Sequence, residues 1–211
     1  DNCDARPVIT FNDGALVAGS LCPQAGTITR TWTATDASGN VGMGWFDVRL
    51  RENTPPELTC PDDQELLLNA DCEVEIPDYR GMADASDNSG VPPILTQNPA
   101  PGTVISGHNT SIQVTLTATD ASDNASQCSF SVTAKDALAP TFTCCPDNQE
   151  IVLGGECTAV IPDYRGLAEV VDNCSPSSVL VQDPAPGTTI GGHTTSQVVT
   201  LTATDAAGNV S

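Results

Sequence analysis

Residues Ser111–Asp120, SIQVTLTATD, alternate along the chain: Ile112, Val114, Leu116 and Ala118 fall on one side, Thr115, Thr117 and Thr119 on the other. A period of two is the mark of a strand with one buried face. A shorter alternation runs through CEVEI (Cys72–Ile76), and strands are predicted at ELTC (Glu57–Cys60), QELLLNA (Gln64–Ala70), PILTQ (Pro93–Gln97) and SQCSFSVTA (Ser126–Ala134). Turn chemistry separates them, with NPAPG (Asn98–Gly102) the clearest case. No stretch carries a helical period of useful length. About seven short strands in about 85 residues is the pattern of an immunoglobulin-like sandwich. The predicted fold class is all-β, as tandem immunoglobulin-like β-sandwich modules.

The pattern repeats. IPDYRG occurs at Ile76–Gly81 and again at Ile161–Gly166, and NPAPGT at Asn98 returns as DPAPGT at Asp183. TLTATDA starts at Thr115 and Thr200, and His108 and His193 keep the same offset of 85 positions. A diverged third copy stands in front: TWTATDASGN (Thr31–Asn40) matches TLTATDASDN (Thr115–Asn124), and Asp1-Asn2-Cys3 matches Asp172-Asn173-Cys174. The modules expected are 1–52, without its opening strands; 53–136, complete; and 137–211, without its closing strand.

Composition narrows the function. Seven Lys+Arg face 27 Asp+Glu, a formal charge of −20. So acidic a chain is a poor partner for nucleic acid or an anionic membrane surface. Charged residues are only 16% of the whole, and Val, Ile, Leu and Thr are plentiful, which separates it from disordered acidic chains. The 9 cysteines point to an oxidising compartment, and so to an exported protein. Neither a signal peptide nor a transmembrane run is present, and no membrane insertion is expected. Proline in the linkers RENTPPE (Arg51–Glu57) and KDALAPT (Lys135–Thr141) favours extended connections.

On these residues a family resemblance rests. The succession of CP, a DNS or DNC turn, PGT and TLTATDASDN-x3-CSF resembles the hyalin repeat, or HYR, domain. IPDYRG, DNC, PAPGT and TATDAAGN together are similar to the HYR-like repeats of large secreted surface proteins of Bacteroidota. The resemblance implies extracellular, immunoglobulin-like, adhesive or structural tandem arrays, often exported by the type IX system, and no enzyme activity. It also makes Cys60 and Cys128 natural disulfide partners, worth on the order of 4 kcal/mol in the chain-entropy model. Cys157 with Cys174, and Cys3 with Cys22, are further candidate pairs. Cys72, Cys144 and Cys145 are left over, either as buried thiols or as bonds to another chain. Gly44 stands where the second copy has Cys128, and Ser89 where the third has Cys174.

Asp36, Asp120 and Asp205 each end a Thr-rich strand and precede Asn40, Asn124 and Asn209. Such an Asp accepts backbone N–H bonds in a tight turn, while the competing reading is calcium, which collects carboxylate and carbonyl oxygens. Asp87, Asp123, Asp172 and Glu52 join the calcium candidates; no cofactor is required, and structural calcium is the one cation considered. Recurrence of Tyr79 and Tyr164 with Arg80 and Arg165 favours packing of the ring and pairing of the Arg with a local carboxylate over the competing reading, contact with a ligand or glycan. Asn109, Asn124, Asn173 and Asn209 stand in N-x-S/T sequons and are the candidate glycosylation sites. No nucleophile elbow or histidine cluster supports catalysis.

The leading expectation is a secreted, cell-surface structural or adhesive protein, a subunit of a fibre assembled head to tail by β-strand complementation between copies. Its self-assembly edge is Ser196 to Thr204, with Val199, Leu201 and Ala203 on the exposed core face; an uncovered apolar edge strand invites pairing. The alternatives are a module that binds glycans or a protein through its loops, and spacer modules of a larger secreted protein.

Overall fold

A computed structural model describes residues 6–18, 25–192 and 196–211. The described residues are all-β, with two single-turn 3-10 segments at Arg80–Met82 and Arg165–Leu167. The strands are β1 (Val8–Asp13), β2 (Val17–Ala18), β3 (Gly26–Thr35), β4 (Val41–Leu50), β5 (Glu57–Thr59), β6 (Gln64–Leu67), β7 (Glu73–Glu75), β8 (Asp84–Ser86) and β9 (Ile94–Asn98). They continue as β10 (Val104–Ser106), β11 (Ser111–Thr119), β12 (Ala125–Lys135), β13 (Thr141–Cys144), β14 (Thr158–Val160), β15 (Glu169–Val171), β16 (Val179–Asp183), β17 (Thr189–Gly191) and β18 (Thr200–Thr204).

The chain forms two compact units. The first comprises residues 1–62, 78–99 and 114–130. In it β3 is flanked by β1, β2 and β4, all antiparallel. Large apolar side chains of this sheet stay open, among them Met43 at 74% and Trp45 at 72% exposure. β5 pairs with β8 and β9 with β11, and here a core does form. Val114, Leu116 and Ala118 are fully buried, and Tyr79 meets Phe130 edge to face at 5.0 Å between ring centroids. Thr115 and Thr117 on the opposite side of β11 bond to Ser129 and Gln127 of β12.

The second unit comprises residues 63–77, 100–113 and 131–211. β7 pairs with β10, β6 runs parallel to β12, and Ile76, Ile105, Val132 and Ala134 are buried. The rest of the unit repeats the earlier strand plan at the expected offset. β13 pairs with β15 as β5 does with β8; β14 with β17 as β7 with β10; and β16 with β18 as β9 with β11. One register shift, a bulge between Phe142 and Cys144, absorbs an extra residue and puts Cys145 at the counterpart of Cys60.

The two copies differ at β6, which has no counterpart strand among the described residues. Residues 149–152, which correspond to β6, form no strand, and Val152 is 91% exposed. A strand of four residues holds only with a partner to bond to, and β6 draws its ladder from Val132–Lys135 of β12.

Candidate functional site

The Thr-rich strands end in one recurring turn. Asp36 Oδ1 accepts the backbone N–H groups of Ser38 and Asn40 at 2.9 and 2.8 Å, and Asn40 Nδ2 donates to Asp36 Oδ2 at 2.6 Å. Asp120 repeats this with Ser122 and Asn124, and Asp205 with Asn209. The Asn40 side chain, then its backbone N–H, holds the Asp36 carboxyl below its usual range. At Asp120 and Asp205 burial pushes the carboxyl up, but the Asn124 and Asn209 donors outweigh it and the net shift is downward. Asp123 is exposed at φ 67°, where the other two turns have Gly39 and Gly208 at φ 85° and 93°.

Each IPDYRG segment is tied down by local bonds. Arg80 binds Asp78 through two bonds of 2.9 and 2.7 Å, and Arg165 binds Asp163 identically. Gln97 Oε1 accepts the Tyr79 N–H, and Gln182 Oε1 the Tyr164 N–H, both at 2.8 Å. The two glutamines were not singled out from sequence; their recurrence at the constant offset was the available signal.

The cysteines partly redraw the expected scheme. Cys60 and Cys128 are bonded. Cys174, however, is bonded to Cys72 and not to Cys157, and Cys72 is therefore not a bridge to another chain. The reason is the meeting of two turns. Cys72 sits at φ 59° in the 69–73 turn, and the DNC turn of the following repeat lies against it, with Asn173 Nδ2 donating to Asn69 O at 3.0 Å. The bond thus joins one repeat to the next across 102 residues. Cys144, Cys145 and Cys157 are exposed thiols, not buried ones. The expected Cys3–Cys22 pair lies outside the described residues, as does His193; His108 accepts the Asp136 N–H at 3.0 Å.

Beside this contact the carboxylates of Asp136, Asp172 and Asp205 converge. Asp136 was not foreseen; its place in the proline linker read as connection only. Asp87 has the place of Asp172 in the preceding copy and accepts the Ser89 N–H at 2.9 Å. Asp36, Asp87, Asp120 and Asp123 do not belong to the converging group.

The sequon asparagines serve the turns. Asn124, Asn173 and Asn209 all donate through Nδ2, the atom a glycan would need, and Asn109 accepts from Lys135 Nζ at 2.8 Å.

The expected assembly edge needs correcting. Ala203 is fully buried, and both its N–H and its C=O are bonded to Ser211 at 3.0 Å, with Thr204 bridging to Val210. Ser196 and Val199 precede β18 rather than lying in it. What stays open is a cleft of ≈ 970 Å³ lined by Ile161, Tyr164, Val199 and Leu201. Val199 and Leu201 are half-buried, whereas their counterparts Val114 and Leu116 are sealed.

Residues 51–134 match the family described as the HYR domain, so the chain carries an HYR-like repeat. Over 197 residues it is 30% identical to Hyalin of Strongylocentrotus purpuratus, an alignment that covers 87% of this chain and 15% of Hyalin. Among solved structures it is similar to fibronectin(III)-like modules of Clostridium thermocellum CbhA (14% identity, 61% of this chain and 77% of that one, TM-score 0.30). The human Desmocollin-1 ectodomain is a second (12% identity, 96% of this chain and 50% of that one, TM-score 0.27). No helix among the described residues is long and apolar enough to cross a membrane.

Proposed function

We propose that this protein is an extracellular, adhesive or structural repeat protein whose copies join head to tail into a fibre, a neighbouring copy supplying the strand that fills the cleft beside β18. The observation that carries this reading is the cleft. In the preceding repeat Tyr79 packs on Phe130, whereas in the later one the matching Tyr164 lines an open space with Val199 and Leu201. The exposed apolar side chains of the β1-β3-β4 sheet mark a second unsatisfied surface. Contacts between unlike surfaces propagate as a filament when they do not close into a ring.

The Cys72–Cys174 bond supplies the rule for the junction. It staples a 69–73 turn to the DNC turn of the next repeat. Cys157 occupies the place of Cys72 in the later repeat, at φ 55°, and is exposed. Asp1-Asn2-Cys3 carries the DNC sequence. Joined head to tail, Cys157 of one copy bonds Cys3 of the next; the two thiols give up two protons and two electrons to a disulfide-bearing oxidant. Two disulfides within the chain and the likeness to Hyalin support the extracellular setting.

Electron micrographs of the purified full chain test the fibre. Filaments are expected; a population of single particles of one chain each, under oxidising conditions, overturns the reading.

A further inference from the structure

Asp136, Asp172 and Asp205 each offer one carboxylate oxygen, and these atoms lie within 4.8 Å of one another. Each residue comes from a different piece of chain: Asp136 from the linker after β12, Asp172 from the DNC turn, Asp205 from the turn after β18. Asp136 and Asp205 are both 6% exposed. Several of their oxygens are satisfied: Asp172 Oδ2 accepts from the N–H groups of Cys174 and Ser175, Asp136 Oδ1 from Leu138, and both Asp205 oxygens from Asn209. Two are not. Asp136 Oδ2 and Asp172 Oδ1 are buried and have no hydrogen-bond partner.

That arrangement is costly as it stands. A buried acceptor without a donor loses its hydration uncompensated, and carboxylates sharing one place repel. Among the described residues the ion pairs are Arg30–Asp13, Arg80–Asp78, Lys135–Glu65 and Arg165–Asp163, and none reaches this group. A cation removes both penalties at once. Calcium holds its oxygens at 2.3–2.6 Å, so two oxygens on opposite sides of one ion stand about 4.6–5.2 Å apart. The observed spacing lies within the reach of a single ion.

We propose that Asp136, Asp172 and Asp205 bind a calcium ion that locks the linker after β12 to the turns of the following repeat. The same three places recur one repeat earlier as Glu52, Asp87 and Asp120. There Asn124 Nδ2 donates to Glu52 Oε2 at 2.6 Å and to Asp120 Oδ2 at 2.8 Å, which holds the two carboxylates side by side. Asp87 Oδ2 is again buried without a partner. Those three carboxylates do not converge as Asp136, Asp172 and Asp205 do, so the single ion belongs to the later repeat. Magnesium fits less well, because it requires a strict octahedron and gives up its water reluctantly.

Calorimetric titration of the full chain with calcium chloride, after removal of metal with EDTA, tests the proposal. One ion per chain is expected, with an affinity in the range of extracellular modules, roughly 10⁻⁴–10⁻³ M. Asp136→Asn is expected to bind no ion in that range, and Asp172→Asn likewise. In EDTA the Asp136→Asn protein melts no lower than the parent, since it relieves a crowded charge. In calcium at about ten times its Kd the parent gains about 3–6 °C in Tm and the variant gains less. No binding by the parent up to 10⁻² M, roughly ten times the weakest affinity of that range, overturns the proposal. So does an Asp136→Asn protein that still takes up the ion with the parent's affinity, or magnesium chloride producing the same Tm gain as calcium.

Discussion

At the scale of single residues, short polar side chains fix the loops. Asp36, Asp120 and Asp205 each tie off a turn through the backbone, and Gln97 and Gln182 hold Tyr79 and Tyr164 in place. The Asp78 and Asp163 carboxyls are lowered from the usual 3.8 to about 2 by the side-chain bonds from Arg80 and Arg165, with the backbone N–H groups of the same arginines adding to the effect. A depressed carboxyl contributes stability that is present above its unfolded value and lost as pH falls through the folded one. Acid titration therefore has a stated sign: the contribution is whole above about pH 4 and disappears on approaching pH 2. Both pairs are exposed, so the change is small. Comparison of Tm between pH 5 and pH 2 in the parent and in Asp78→Asn checks it, the variant losing less on acidification.

At the scale of elements, a strand is as good as its neighbour. β11 is bonded on both sides and its apolar residues Val114, Leu116 and Ala118 are fully buried. Its counterpart β18 is bonded to β16, and on the other side only near Ala203 and Thr204. Leu116→Ala is expected to cost about 2–5 kcal/mol, as for a sealed core leucine. Leu201→Ala in the unassembled chain is expected to cost about 1–2 kcal/mol, because Leu201 is already half in water. Urea denaturation of the two variants checks the difference. This contrast also explains what was legible in the sequence. The period of two made β11 readable, and the 85-residue offset carried over the pairing of β9 with β11 to β16 with β18. Residues 149–152 have the composition of β6 but form no strand, since pairing is decided by what lies alongside and not by the segment itself. The register bulge at Phe142/Cys144, which settles which of Cys144 and Cys145 matches Cys60, was equally hidden.

At the scale of the whole molecule, the junction between repeats carries the chemistry. Asp136, Asp172, Asp205 and the Cys72–Cys174 bond all lie where one repeat meets the next. Sequence alone proposed pairs within a repeat, because near-copies suggest self-contained units; turns 102 residues apart in the chain touch only after folding. By the chain-entropy relation, closing so long a loop stabilises the fold by about 4–5 kcal/mol. In the proposed fibre the same relation between successive repeats passes from Cys157 to the next copy. Disulfide mapping of the unreduced, assembled protein by mass spectrometry tests that claim most directly. The account predicts a linked peptide pair joining Cys157 to Cys3, absent from Cys157→Ser; intact fibres in which Cys157 remains a free thiol, or in which Cys3 is bonded to Cys22, would contradict it.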